Sequence, residues 1–145
     1  EVVVSEINYN KFKESLARLQ ERYNDYLAAQ SRTELLPSDK ESIQESCIQR
    51  FEICLDTSWK HLKKYLIEEM GLVDIPSSPN PIFRKAAASL VISDAELWIE
   101  FNKKRGDTSH DYCGDKAGGT FEIIPDFIKE AISLYETISG VKWQN

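Results

Sequence analysis

Ile43, Cys47, Phe51, Cys54, Leu55, Ser58, Leu62, Tyr65 and Leu66 follow one another at intervals of three and four, and Ile48 and Trp59 widen the stripe. That spacing lays one face of an α-helix against a core. Ser38 as N-cap and Glu41 at N3 read as a capping box that opens this helix. Gly71 supplies a natural stop just beyond Met70. At 1.5 Å per residue such a helix is roughly 45 Å long. In a chain of 145 residues it leaves room for few folds, because its neighbours must also be long.

The remaining pattern agrees. Phe12, Leu16, Leu19, Tyr23, Tyr26 and Leu27 predict a first helix from about Tyr9 to Ala29, followed by a polar connection up to Pro37. The stretch from Asp74 to Pro81 is rich in proline and serine and reads as a loop. Pro79 or Pro81 then opens a short helix ending near Leu90. Ser93 or Asp94 caps a fourth helix, with Leu97, Trp98 and Phe101 facing inward. Periodicity is lost from Gly106 to Gly119. It returns in a last helix carrying Ile123, Ile124, Phe127, Ile128, Ala131, Ile132, Leu134, Tyr135 and Ile138, with Pro125 in its first turn or kinking it. The expectation is a single all-α domain, residues 1–145: an up-and-down antiparallel four-helix bundle with an extra short helix.

Composition narrows the function classes. A hydrophobic fraction of 41% with 29% charged residues suits a globular protein rather than a disordered one. No apolar run approaches the roughly 20 residues that span a bilayer, and Val2-Val3-Val4 is too short for a signal-peptide core. Cys47, Cys54 and Cys113 form no CxxC and no Cys/His cluster, so free thiols, a reducing cytoplasm and no metal site are expected. Cys47 and Cys54 share a helix face and read as core. The net charge of −6 argues against indiscriminate nucleic-acid binding, so any such role needs a local basic patch.

The chemistry-bearing stretch is Arg105-Gly106-Asp107-Thr108-Ser109-His110-Asp111-Tyr112. Arginine is a fixed cation suited to phosphate, and histidine moves protons near neutral pH. On an unbroken helix five residues turn about 500°, which leaves Arg105 and His110 about 140° apart. They converge only through a bend near Gly106 or across a twofold axis between two subunits. Lys103, Lys104 and Arg105 also suit a helix C-terminus with no function attached. Lys60, Lys63 and Lys64 form a strip, read either as a solvated face balanced by Asp56 and Glu68 or as a phosphate-contacting wall. Asp56 and Lys60 are placed for an ordinary i, i+4 ion pair. His61 reads as a surface or boundary residue. No P-loop and no GxGxxG occurs, so the chain does not look like a nucleotidyltransferase itself.

Arg50-Phe51-Glu52, then Asp56 and Trp59-Lys60, then Ser78-Pro79 to Phe83-Arg84-Lys85-Ala86, Trp98, and Arg105 to Tyr112 together resemble the HEPN superfamily, in its nucleotidyltransferase substrate-binding, HepT-like toxin branch. The resemblance covers about Arg50 to Ile138. It implies a helical homodimer that partners a cognate small nucleotidyltransferase. It further implies a metal-independent ribonuclease toxin, without cofactor, using Arg105 and His110 at a dimer cleft. Tyr112 would be the residue that the partner nucleotidylates, and Lys60, Lys63 and Lys104 are the candidate substrate contacts. Gly106 departs from the polar residue, most often asparagine, that usually follows the arginine. That departure favours the alternative, a non-catalytic substrate- or nucleotide-binding subunit of a two-component nucleotidyltransferase.

Overall fold

The computed structural model describes residues 7–107 and 115–144, with backbone alone for 115–117. Five α-helices account for most of them: α1 (Asn10–Gln30), α2 (Pro37–Lys64), α3 (Pro79–Ala88), α4 (Ala95–Asp107) and α5 (Asp115–Ser139). Among the described residues there is no strand. The long helices α1, α2, α4 and α5 form the bundle expected from the sequence. The short α3 packs on α2 and α4.

α2 opens earlier than its sequence suggests. Pro37 takes the first helical position, which its fixed φ favours. Leu36 therefore becomes the N-cap and Asp39, not Glu41, falls at N3. The Asp39 carboxylate accepts the Leu36 N–H at 3.1 Å. The α-helical hydrogen bonding ends at Lys64, and a π-helical turn, Tyr65–Glu69, carries the chain on. Gly71 stops it as expected, with φ +66°. The Leu72 N–H reaches the Leu66 carbonyl at 3.0 Å, one residue wider than the long bond of a Schellman motif, as the π-helical turn before it is wider than an α-turn.

At α4, Asp94 is the cap: its Oδ1 accepts the Leu97 N–H at 3.1 Å. Trp98 and Phe101 are buried, whereas Leu97 is only half-buried. Leu27, placed on the inner stripe of α1, is exposed.

Two expectations around the second half fail. Periodicity is not lost at Gly106, because α4 runs unbroken through it to Asp107. α5 begins before Gly118-Gly119, so both glycines lie inside the helix and Pro125 sits in its interior. The tertiary burial of Ile124, Phe127, Ala131, Leu134 and Ile138 outweighs a helix penalty of roughly 1 kcal/mol per glycine. Gly119 has a packing role as well: a Cβ there would meet the Lys104 Nζ at 3.2 Å.

The core centres on Phe127 of α5. Its ring meets Phe51, Trp98 and Phe101 at centroid distances of 5.1, 5.8 and 5.3 Å, all near-perpendicular. Edge-to-face packing of this kind adds about 0.5–1.5 kcal/mol per pair beyond area burial. The cluster ties α2, α4 and α5 together directly beneath the turn of α4 that carries Arg105. Cys47 and Cys54 are buried free thiols as expected. Burial pushes both up to about 12, away from any reactive thiolate. Cys113 lies outside the described residues. No helix among the described residues is long and apolar enough to cross a membrane.

Candidate functional site

Trp98 and Phe101 fix the inward face of α4, and the next turn carries Lys104 and Arg105. Arg105 does not project freely from this turn. Its Nη2 donates to Oδ2 of Asp56 on α2 at 2.9 Å. Both side chains keep about a third of their surface exposed, 35% and 36%. A guanidinium presents five donors in a plane, and this contact uses one edge of it. The carboxylate thus fixes the orientation of a permanently charged group that still faces solvent. Asn102 on the same helix donates to Asn80 Oδ1 on α3 at 3.1 Å, which bonds α4 to α3 one turn earlier.

The Asp56 pairing replaces the i, i+4 contact with Lys60 expected from sequence. Asp56 follows the buried Cys54 and Leu55 and faces α4 across the bundle, so the fixed cation of Arg105 takes it. Lys60 instead lies over the Trp59 ring, 5.9 Å from its centroid. Gly106 does not bend the chain, and among the described residues a Cβ at that position would meet nothing within 4 Å. Packing against the described residues therefore gives no reason for glycine there. His110 and Tyr112 lie outside the described residues. Their convergence with Arg105 stays an expectation.

The three candidate substrate-binding lysines do not share one surface. Lys104 turns toward α5, against Gly119, with its Nζ 3.9 Å from Glu100. Lys60 and Lys63 instead line an open groove of about 570 Å³ together with Lys11, Lys64, Trp59 and Ile67. Lys63 donates to Ser77 Oγ at 3.0 Å. Among the described residues, no carboxylate lies within ion-pairing distance of Lys11, Lys60, Lys63 or Lys64.

His61, expected at the surface or boundary, is 7% exposed. Its Nδ1 meets the Thr57 carbonyl at 2.8 Å and its Nε2 the Asn8 carbonyl at 3.2 Å. The ring packs between Tyr9 and Phe12, at 5.6 and 6.0 Å. A neutral imidazole has one N–H, so the tautomer decides which carbonyl it donates to. His61 joins the segment before α1 to α2, a structural role. The signal was in the sequence: position 61 lies three after Ser58 and four before Tyr65, on the apolar stripe. The Asp56–Arg105 pair had no such signal, because 49 residues separate its members.

Comparison with known proteins agrees with this architecture. Residues 7–139 match the family described as nucleotidyltransferase substrate binding protein like. A probable ribonuclease HepT of Haemophilus influenzae is 29% identical over 101 residues, which cover 68% of this chain and 69% of that protein. A Thermus thermophilus protein of known crystal structure superposes with a TM-score of 0.66 at 27% identity, over 89% of this chain and 96% of its own. A second Haemophilus influenzae structure, described as the fold of a substrate binding domain of a nucleotidyltransferase, superposes at 0.79 over 91% of this chain and 99% of its own. At 22% identity it speaks for the fold alone. With 133 of its 145 residues inside the family match, the chain belongs to the nucleotidyltransferase substrate-binding protein-like family.

Proposed function

We propose that this protein is the helical partner of a small nucleotidyltransferase and acts, as a homodimer in the cytoplasm, as a metal-independent ribonuclease toxin held in check by that partner. The observation that carries the reading is Arg105. It stands on the last turn of a helix anchored in the aromatic core, is oriented by Asp56 at 2.9 Å, and keeps a third of its surface open. The similarity to a probable ribonuclease supports it.

In this reading His110 takes the proton of a ribose 2′-hydroxyl. The oxygen attacks the adjacent phosphorus, the 5′-oxygen leaves and is protonated, and a cyclic phosphate remains. Arg105 stabilises the charge that builds on the phosphoryl oxygens. Tyr112 is the switch. Its phenolic oxygen attacks the α-phosphate of a nucleoside triphosphate on the partner enzyme, and pyrophosphate leaves. The added bulk and negative charge then close the phosphate pocket.

Incubating the purified protein with single-stranded RNA in EDTA tests the catalytic claim. Wild type should cleave and His110→Ala should not; equal cleavage by the two removes His110 as the catalyst. One observation favours a second reading, a non-catalytic substrate- or nucleotide-binding subunit: Gly106 occupies a helical position where packing against the described residues leaves room for a larger residue. There the protein alone is inert and co-purification with the transferase is the main phenotype.

A further inference from the structure

The lysine groove lies apart from the Arg105 turn, and no step of the proposed cleavage uses it. Its walls come from Lys11 on α1, from Trp59, Lys60, Lys63 and Lys64 with Thr57 and His61 on α2, and from Ile67 in the π-helical turn. Among the described residues no acidic side chain lines it, in a chain whose net charge is −6. Local charge of the opposite sign to the whole molecule marks a surface for an anion. Lys60, Lys63 and Lys64 span about one turn of α2 and Lys11 comes from α1. Spread over two helices, with no arginine fork among them, they suit a series of phosphates better than a single ion. Trp59 packs its inner edge on the core while remaining part of the groove wall. An aromatic face among spaced lysines is the arrangement that stacks bases of a single strand while the cations follow its backbone.

The helical register links this groove to the Arg105 turn. Asp56, which holds Arg105, is one turn before Lys60, about 6 Å along the helix axis. Lys63 continues the same strip. We propose that this groove is an accessory binding track for single-stranded polynucleotide, with Lys11, Lys60, Lys63 and Lys64 on its phosphates and Trp59 under one base. It guides a strand toward Arg105. The inference takes its substrate class from the ribonuclease reading but does not depend on cleavage.

The test is the fluorescence anisotropy of a labelled twelve-nucleotide single-stranded RNA, titrated in EDTA with the full chain. Every arm carries His110→Ala, so that the probe stays whole. Lys60→Glu/Lys64→Glu should weaken binding at least about tenfold and flatten the salt dependence by roughly 0.7 log units per lysine. Trp59→Leu should weaken it about five- to hundredfold with the salt dependence unchanged, and Trp59→Tyr should restore most of the loss. Lys85→Glu/Lys129→Glu, the same charge change on α3 and α5 at residues outside the groove lining, should leave the affinity within about twofold of its parent, since exposed charges not in contact with the strand are screened. Groove variants that bind like this control overturn the proposal. So does selective binding of anionic phospholipid vesicles, with the same lysine dependence and none for RNA. His110-dependent cleavage by a chain whose groove variants bind normally would leave the ribonuclease reading standing and remove only this one. Groove-dependent binding without any cleavage would do the reverse.

Discussion

The Arg105 turn and the lysine groove both present positive charge, yet they hold it in opposite ways. Arg105 rests on buried Trp98 and Phe101 and is oriented by a carboxylate from another helix. The groove lysines have long stems and no carboxylate within ion-pairing distance among the described residues. One arrangement sacrifices freedom for geometry, which stabilising a transition state requires. The other keeps freedom, which suits a polyanion whose phosphates need not occupy fixed points. Position relative to the core decides between them. Arg105 sits one turn past the aromatic cluster, whereas Lys60 and Lys64 are on the outer face of α2.

If the core fixes the Arg105 turn, damage to the core should reach it first. Phe127→Ala removes the ring shared by Phe51, Trp98 and Phe101. It should cost about 3–5 kcal/mol in chemical denaturation. A loss under about 1 kcal/mol would mean that the cluster does not anchor α4. His61→Ala should cost about 2–3 kcal/mol, from a lost hydrogen bond and an emptied site. His61 also lines the lysine groove, but its ring nitrogens face the Thr57 and Asn8 carbonyls, so RNA binding should survive the change at temperatures where the chain stays folded. A change in binding with no change in stability would make His61 a ligand contact instead.

Leu90 lies outside both regions. It is 90% exposed with φ +62°, a conformation that suits glycine. Leu90→Gly should therefore raise stability by about 1 kcal/mol, seen as a higher denaturation midpoint; a lower midpoint would show that the side chain makes contacts of value. Asp56→Ala should shift stability by less than about 1 kcal/mol, because the pair is partly exposed. The same substitution should lower RNA cleavage, since Arg105 loses its orientation. Cleavage unchanged by this variant would strip Asp56 of its positioning role. The smallest effect is at the thiols. With both pushed up to about 12, native Cys47 and Cys54 should resist alkylation at neutral pH, as peptide mapping would show.

Much of this was legible in the sequence where the signal is periodic. The stripe of α2, the Gly71 stop and a cap at Ser93 or Asp94 follow from spacing and local chemistry alone; the structure picks Asp94. Local reading fails where a neighbour in space overrides a local preference. Pro37 advances the start of α2 past Ser38. Burial of the inner face of α5 draws Gly118 and Gly119 into the helix. Asp56 turns to Arg105 across the bundle instead of to Lys60 four residues away. The contrast between the two basic regions was out of reach for the same reason. Lys60, Lys63 and Lys104 look alike as letters, but only folding sends the third toward α5 and the first two into the groove.

The direct test is steady-state cleavage of single-stranded RNA in EDTA by wild type, Arg105→Ala and Lys60→Glu/Lys64→Glu. Arg105→Ala should lower kcat by about a hundredfold or more with KM little changed. The double variant should raise KM and leave kcat near wild type, because a contact made equally in ground and transition states acts only on binding. Wild-type rates for Arg105→Ala, or the same kinetic pattern for both variants, would contradict the division of labour between the two regions.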